Sequence, residues 1–328
     1  MLKFLVIQTA SIGDVILATP VLEKLNGYYP GAQIDILVKK GNEALFQGHP
    51  FVCRTLVWDK TSGKYRNLYA LLLDVRKERY DYVINVQRYG GTGLLTAMSG
   101  ATYKTGFDKN PFSLFFNRRI KHVFHDPGLH ETERNHRLIA GITDNQKGPV
   151  RLYPGKKDFD AVKKYRSSDY ICIAPASLWF TKQYPVEKWV EFVKAVPPGI
   201  TVIFTGSGKD EKICRDIIQH SGHPDCLTLA GQLSLLQTAA LMAGAKMNFV
   251  NDSAPQHLAS AMNAPVTAIF CSTVPSFGFG PLSDDARVIE TDVPLDCRPC
   301  GLHGHSECPE GHFKCAMTIS NEKLLKRL

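Results

Sequence analysis

The residues with the most evident chemistry are Asn251-Asp252-Ser253-Ala254-Pro255-Gln256-His257. They follow the apolar run Lys246-Met247-Asn248-Phe249-Val250 and open a helical pattern at Leu258. A strand that ends in a polar turn and feeds a helix aims free N–H groups, and the positive end of the helix dipole, at whatever lies above the sheet edge. Such a place can hold phosphate. The same residues also read as a plain N-cap, with Asp252 or Ser253 satisfying the first amides. A second turn of this kind follows the first apolar run of the chain, Thr9-Ala10-Ser11-Ile12-Gly13-Asp14-Val15. Gly13 permits close backbone approach or an unusual φ. Asp14 falls in the first turn of the next helix, where a carboxylate is a general base toward an incoming hydroxyl or a dipole partner and cap. Neither GxGxxG nor GxxxxGK[ST] occurs, so dinucleotide and P-loop chemistry lose their main support. Gly206-Ser207-Gly208 is a glycine turn and a weak signal alone.

These turns need a scaffold, and the hydrophobic pattern supplies one. Strand-like segments fall at Lys3 to Gln8, Gln33 to Val38 and Tyr82 to Asn85, with helical spacing at Val15 to Leu25 and Tyr69 to Glu78. The second half repeats the rhythm, with strands at Tyr170 to Ala174, Thr201 to Thr205, Asn248 to Val250 and Val266 to Phe270. Helices alternate with them at Val186 to Ala195, Asp210 to His220, Leu235 to Met242 and Ala259 to Met262. Val/Ile/Phe strands without polar alternation are buried on both faces, as in parallel sheets covered by helices. The expected fold is therefore α/β, two doubly wound Rossmann-like domains facing a central cleft at the carboxyl ends of their strands. The boundary falls in the Gly, Pro and Lys-rich stretch 145–157, giving domains 1–155 and 156–328, with a terminal segment able to pack back on the first domain.

At 328 residues, 44% hydrophobic and 21% charged, the chain has the length of two domains and the composition of a globular protein. No run approaches 18 apolar residues, so no membrane-spanning helix is expected. The N-terminal apolar run is cut by Gln8 to Asp14 and reads as a strand rather than a signal peptide, which points to the cytoplasm. The net charge of +8 is uneven: residues 1–150 hold 20 Lys+Arg against 13 Asp+Glu, and residues 151–328 hold 19 against 18. A local cluster lies at Arg118-Arg119-Ile120-Lys121-His122. The first half suits an anionic membrane surface or lipid head group, or is a solvated basic face. No nucleic-acid motif accompanies the charge, and nucleic acid is not expected as a partner.

Read in order, the motifs resemble those of the ADP-heptose:lipopolysaccharide heptosyltransferases, glycosyltransferases of GT-B fold. They are Ser11-Ile12-Gly13-Asp14-Val15-Ile16 with Pro20 and Leu25, Tyr29-Pro30-Gly31-Ala32, and His130-Glu131-Thr132-Glu133-Arg134-Asn135. Lys182-Gln183-Tyr184-Pro185 with Trp189, Gly231-Gln232-Leu233-Ser234, and Asn251-Asp252-Ser253 to His257 complete the set. The resemblance implies an inverting enzyme that moves heptose from ADP-heptose to a lipopolysaccharide or lipid A core acceptor, peripheral on the cytoplasmic face of the inner membrane; the alternatives are transfer of another nucleotide-activated sugar onto a cell-surface glycan, or a non-catalytic nucleotide-sugar-binding relative. It implies Asp14 as catalytic base, with Ser11 and Gly13 on the acceptor side. It implies Lys182, Asp252, Ser253, Ala254 and His257 around the donor diphosphate and sugar, and no catalytic metal. An inverting transfer needs one base and strong stabilisation of the departing diphosphate. Helix amides and a lysine supply the latter. The chain departs from the family in carrying Gln8 where a basic residue is common and Ala254 where Gly is common.

Cys297-x2-Cys300-x7-Cys308-x6-Cys315 has spacing suited to a structural zinc. Disulfides are the rival, disfavoured by a reducing cytoplasm, and unpaired loop cysteines are the plain alternative. Cys53, Cys172, Cys214, Cys226 and Cys271 read as packing residues. His257 could touch the donor or simply pack. Trp179-Phe180 could stack on a nucleotide base, whereas Trp189 and Phe192 read as core at helical spacing. Glu131, Glu133 and Arg134 read mainly as a solvated helix face, with a substrate-side network as the alternative.

Overall fold

The computed structural model describes residues 1–123 and 128–328. The chain forms two compact units, Met1–Tyr153 and Pro154–Leu328. The first contains β1 (Lys3–Ile7), α1 (Ile12–Ile16), α2 (Thr19–Tyr28), β2 (Gln33–Lys39), β3 (Val52–Trp58), α3 (Lys64–Glu78), β4 (Tyr82–Asn85), α4 (Gly90–Met98), β5 (Tyr103–Phe107), β6 (Arg118–Ile120) and α5 (Glu131–His136). The second contains α6 (Lys156–Val162), β7 (Tyr170–Ala174), α7 (Val186–Lys194), β8 (Thr201–Phe204), α8 (Glu211–Ser221), β9 (Cys226–Thr228), α9 (Leu235–Met242), β10 (Met247–Asn251), α10 (Ala254–Ala261), β11 (Val266–Phe270), β12 (Ala286–Glu290), α11 (Lys314–Met317) and α12 (Asn321–Leu325).

Each unit is a six-stranded parallel sheet, ordered β3-β2-β1-β4-β5-β6 and β12-β11-β10-β7-β8-β9. Both orders are the doubly wound one. The chain leaves in opposite directions on either side of β1/β4 and of β7/β10, which opens a crevice at the carboxyl ends of those strands. Every residue of β7, β10 and β11 is buried, as strands covered on both faces must be. Trp189 and Phe192 sit at the centre of the second core, with the Phe192 and Phe249 rings 4.7 Å apart.

One difference from the sequence reading has a plain cause. The helical spacing of Val15 to Leu25 belongs to two helices, because Pro20 has no N–H and its ring would meet the carbonyl of Ile16. The Thr19 hydroxyl takes over by donating to that carbonyl at 2.8 Å. The first three residues of the Arg118 cluster form the edge strand β6. Within the second unit, the Asn321 side chain donates to the Lys188 carbonyl of α7 at 3.0 Å and accepts from the Tyr184 hydroxyl at 2.8 Å.

His49 lets one stability effect be stated. Its Nδ1 accepts from the Val52 amide at 3.2 Å, and burial lowers its pKa from 6.5 to about 4. Protonation at Nδ1 would also turn the acceptor of that bond into a donor. Between pH 6.5 and about 4 the unfolded chain therefore binds a proton that the folded chain refuses, and stability falls as pH falls through that window. The slope from this residue reaches about 1.4 kcal/mol per pH unit at most. His49→Asn keeps an acceptor but does not titrate. Its urea midpoint should fall less steeply below pH 6.5 than that of the wild type; equal slopes would exclude His49 as a contributor.

Candidate functional site

The first half-site lies at the carboxyl ends of β1 and β4. Asp14 is the third residue of α1, and Ser11 is its N-cap. The Asp14 Oδ2 accepts the Ser11 backbone N–H at 3.1 Å and the Ser11 hydroxyl. The carboxylate is thus a cap through one oxygen, and the side chain remains partly exposed. Gly13 is buried within α1 and is absent from the glycines of positive φ, so no unusual conformation is asked of it. Gln8, next on β1, is buried and joined to Gln87 at the end of β4 through a Gln87 Nε2 to Gln8 Oε1 bond. Asn110 fixes the β4 turn by donating to the carbonyls of Gln87 and Tyr89 at 3.1 and 3.2 Å. Gly93 is required there, since a Cβ would stand 1.9 Å from Asn110 Oδ1.

Two charged features of this half-site were hidden in the sequence. The reading of Glu131 and Arg134 as a solvated helix face is corrected: Arg134 is 1% exposed, and its Nε donates to Glu131 at 2.7 Å while a terminal N donates to the Leu129 carbonyl at 2.8 Å. Burial raises the Glu131 pKa, Arg134 opposes the rise, and the nearby charge of Asp14 adds to it. Glu133 is the part of the prediction that stays outside, paired with Lys147 at 2.9 Å. Lys60 donates to the carbonyl and hydroxyl of Thr9 at 3.0 and 2.9 Å and lies 4.6 Å over the Trp58 ring. Burial, reinforced by Lys39 and Lys64, lowers its pKa to about 8. A lone lysine after a strand carries no sequence signal; only the turn it reaches reveals it.

The second half-site lies at the carboxyl ends of β7 and β10. Lys182 ends a short 3-10 turn after β7, and Asp252 follows β10. They form an ion pair at 2.6 Å, with side-chain exposures of 16% and 7%. The Thr273 hydroxyl donates to the same Asp252 oxygen at 2.6 Å, and Gln256 Nε2 donates to the other at 3.0 Å. Ser253 is the N-cap of α10 by position, yet its side chain makes no capping bond. Asp252 is likewise spent elsewhere, so the plain-cap reading fails for both side chains. Pro255 has no N–H. The Ala254 amide therefore stands at the positive end of α10, two residues after the Asp252 that holds Lys182, and a helix start of this kind can take an anion. His257 is buried in the next positions of α10, its Nε2 3.5 Å from Gln256 Nε2. Gly208 and Gly231 pack backbone to backbone, where a Cβ on Gly231 would stand 2.6 Å from Gly208 Cα. That explains Gly231 after β9; in the turn after β8 a Cβ on Gly206 would stand 2.9 Å from the Asp210 side chain, whereas one on Gly208 would meet only ordinary contact.

The Lys182 turn is braced on both sides. Asn251 accepts from the Tyr184 amide at 3.0 Å and donates to the Pro175 carbonyl at 2.7 Å. The Thr181 amide donates to the His305 carbonyl at 3.1 Å, and the His305 amide returns a bond to Thr181 Oγ1 at 2.8 Å. Trp179 is 38% exposed, while Phe180 rests on Phe313 with ring centres 5.0 Å apart.

The segment containing His305 also holds Cys297, Cys300, Cys308 and Cys315. All nine cysteines are unbridged. Burial and the neighbouring cysteine Cys308 push the Cys315 thiol up to about 11. Among the described residues no three His, Cys, Asp or Glu side chains meet in an arrangement that could hold a metal ion. The four thiols therefore do not fit the expected structural zinc. The segment is held by hydrogen bonds instead. Arg298 donates to the carbonyls of Cys271 and Thr273, each at 2.7 Å, and the Cys300 amide donates to the Ser272 carbonyl at 2.8 Å.

Among the described residues no helix is long and apolar enough to cross a membrane. The family model for glycosyltransferase family 9 (heptosyltransferase) matches residues 68–309. Lipopolysaccharide heptosyltransferase 3 of Escherichia coli is 26% identical over 277 residues, covering 80% of this chain and 81% of its own. Lipopolysaccharide heptosyltransferase 2 of Escherichia coli strain K12 is 25% identical, covering 100% of this chain and 97% of its own. The solved structure of the Escherichia coli heptosyltransferase WaaC with ADP superposes with a TM-score of 0.76 at 21% identity, covering 99% of this chain and 98% of that one.

Proposed function

Because the chain belongs to glycosyltransferase family 9, the heptosyltransferases, we propose that this glycosyltransferase moves heptose from ADP-heptose to a lipopolysaccharide inner-core acceptor, with inversion and with Asp14 as base. The observation that carries the reading is the second half-site: a nearly buried lysine at 2.6 Å from Asp252, next to the uncapped start of α10. Donors so arranged match a leaving group that acquires negative charge as it departs.

In this reading Asp14 removes the proton of the acceptor hydroxyl through the carboxylate oxygen that Ser11 does not occupy. The hydroxyl oxygen bonds to the anomeric carbon from the face opposite the diphosphate. The bond from that carbon to the β-phosphate oxygen breaks with its electron pair, and ADP leaves carrying the charge. Lys182 and the Ala254 amide stabilise that charge. Asp252 keeps Lys182 in place, and Thr273 and Gln256 keep Asp252 in place. Ser253 and His257 border the donor sugar, and Ser11 with Gly13 borders the acceptor. Lys182 and the helix start perform the electrophilic task, so no step is assigned to a divalent metal. The acceptor is lipid-borne, which places the enzyme at the cytoplasmic face of the inner membrane, against anionic lipid.

The nucleotide is the first thing to test. In a thermal-shift comparison of ADP, UDP, GDP and CMP at equal concentration, ADP alone should raise the melting point. Saturation a hundredfold above the dissociation constant stabilises the folded chain by about 2.7 kcal/mol. A shift with UDP or GDP in place of ADP would replace the donor while leaving the transfer chemistry standing.

A further inference from the structure

We infer that the outer face of α3 is the surface by which the first unit docks on an anionic lipid bilayer. Helix α3 buries Leu68, Leu72 and Val75 on its sheet side. On its outer side Tyr65, Tyr69 and Leu73 are 77%, 63% and 52% exposed. Their four-residue spacing makes one stripe along the helix. Three large apolar side chains in a row on solvent are a patch that a monomeric protein seldom keeps without use.

Charge selects lipid as the occupant. Arg66, Arg76 and Lys77 flank the stripe, and all three are exposed. The two acidic residues of α3 do not offset them, because Arg54 on β3 pairs with Asp74 at 2.8 Å and with Glu78 at 2.7 Å. Residues 1–153 hold 21 Lys+Arg against 13 Asp+Glu, and residues 154–328 hold 18 against 18. The whole net charge of +8 therefore belongs to the unit that carries the stripe. Tyrosines with an apolar ring and a polar tip suit the headgroup level of a membrane, and basic side chains around them suit anionic headgroups. Helix α4 packs beside α3, and the 3-10 turn Ser113–Phe115 packs beside α4. That turn exposes Leu114 and Phe115 as well, at 78% and 64%. Tyr65 follows the end of β3, and Leu114 and Phe115 follow the end of β5, so these exposed apolar residues lie toward the carboxyl ends of the strands, the edge on which Asp14 stands.

The inference rests on the reading that the acceptor is presented at a membrane, and its test separates the two. The full-length protein is sedimented with vesicles of phosphatidylcholine alone and of phosphatidylcholine mixed with phosphatidylglycerol. The wild type should bind only the anionic vesicles and be released by salt. Tyr65→Ser/Tyr69→Ser/Leu73→Ser, and separately Arg66→Gln/Arg76→Gln/Lys77→Gln, should each lower the bound fraction on the order of tenfold. The melting point and the ADP shift of both variants should match the wild type, since every altered side chain is exposed. Undiminished vesicle binding by the serine variant overturns the inference, as does equal binding of the wild type to neutral vesicles. A wild-type dimer that the serine variant converts to monomer overturns it too, and makes the face an interface between copies. Heptose transfer to a water-soluble acceptor fragment reports on the enzymatic reading alone. Absence of transfer, with vesicle binding still lost in the variants, defeats that reading and leaves the surface in place.

Discussion

Asp14→Asn is expected to lower kcat by about 10²–10⁴-fold, the range for loss of a positioned general base, with ADP affinity unchanged within about twofold. The substitution is chosen for what it keeps. Asn retains a side-chain oxygen for the Ser11 amide, which Asp14 now accepts at 3.1 Å, so α1 keeps its start. What it lacks is the basic carboxylate that the proposed reaction needs to take the acceptor proton. Ser11→Ala serves as the reference for the cap, because it deletes one of the two bonds Ser11 makes to Asp14. A drop in kcat for Asp14→Asn far larger than for Ser11→Ala, at equal melting points, assigns the effect to the base. A rate for Asp14→Asn within tenfold of wild type would leave Asp14 as a cap and send the search for a base to Glu131, whose carboxyl is raised by burial and by Asp14 itself.

Lys182→Gln should act on a different quantity. Removing a donor aimed at developing charge costs about 10²–10³-fold in kcat. In the proposed reaction the same lysine also meets the bound diphosphate, so the ADP dissociation constant should rise together with the loss of rate. The variant also leaves Asp252 without its ionic partner, although Thr273 and Gln256 still donate to it. A fall in melting point is therefore expected as well. Lys182→Arg keeps the positive charge and should recover most of the stability with only part of the rate, because the planar guanidinium cannot occupy the ammonium position. Unchanged ADP affinity in Lys182→Gln, with only the melting point lowered, would make the ion pair structural and remove it from the donor site.

Periodicity recovers what is locally encoded here. The strands Tyr82–Asn85, Tyr170–Ala174 and Val266–Phe270 have the bounds read from their Val/Ile-rich runs, because such runs are buried on both faces wherever they lie in a parallel sheet. Edge strands were not legible: β3, β6 and β12 carry charge, as solvent-facing edges do, and β9 is only three residues long. The turns holding Asp14 and Asp252 were legible as polar breaks between a strand and a helix. Their competing roles were not, since an N-cap and an anion site share the same residue types. Coordinates divide the two cases: Asp14 caps α1, whereas Ser253 leaves α10 uncapped. Lys60 and the Glu131–Arg134 pair escaped the sequence because their significance depends on which distant turn the fold brings to them. The cysteine spacing pointed the other way, toward a metal cluster that the described side chains do not form.

The strand pairs beside the two half-sites also join the most distant partners within each sheet. Phe4 pairs with Tyr82 and Ile171 with Met247, whereas pairs such as Ile36 with Thr55 or Phe249 with Thr267 are far closer in sequence. Closing a longer loop costs more chain entropy, and topologies rich in distant contacts fold slowly. During refolding, helices and neighbouring strand pairs can thus assemble before the β1/β4 and β7/β10 seams are closed. Regained activity is consequently a stricter gauge of complete refolding than regained helical signal, because both turns of the proposed site hang from the seams that are hardest to close.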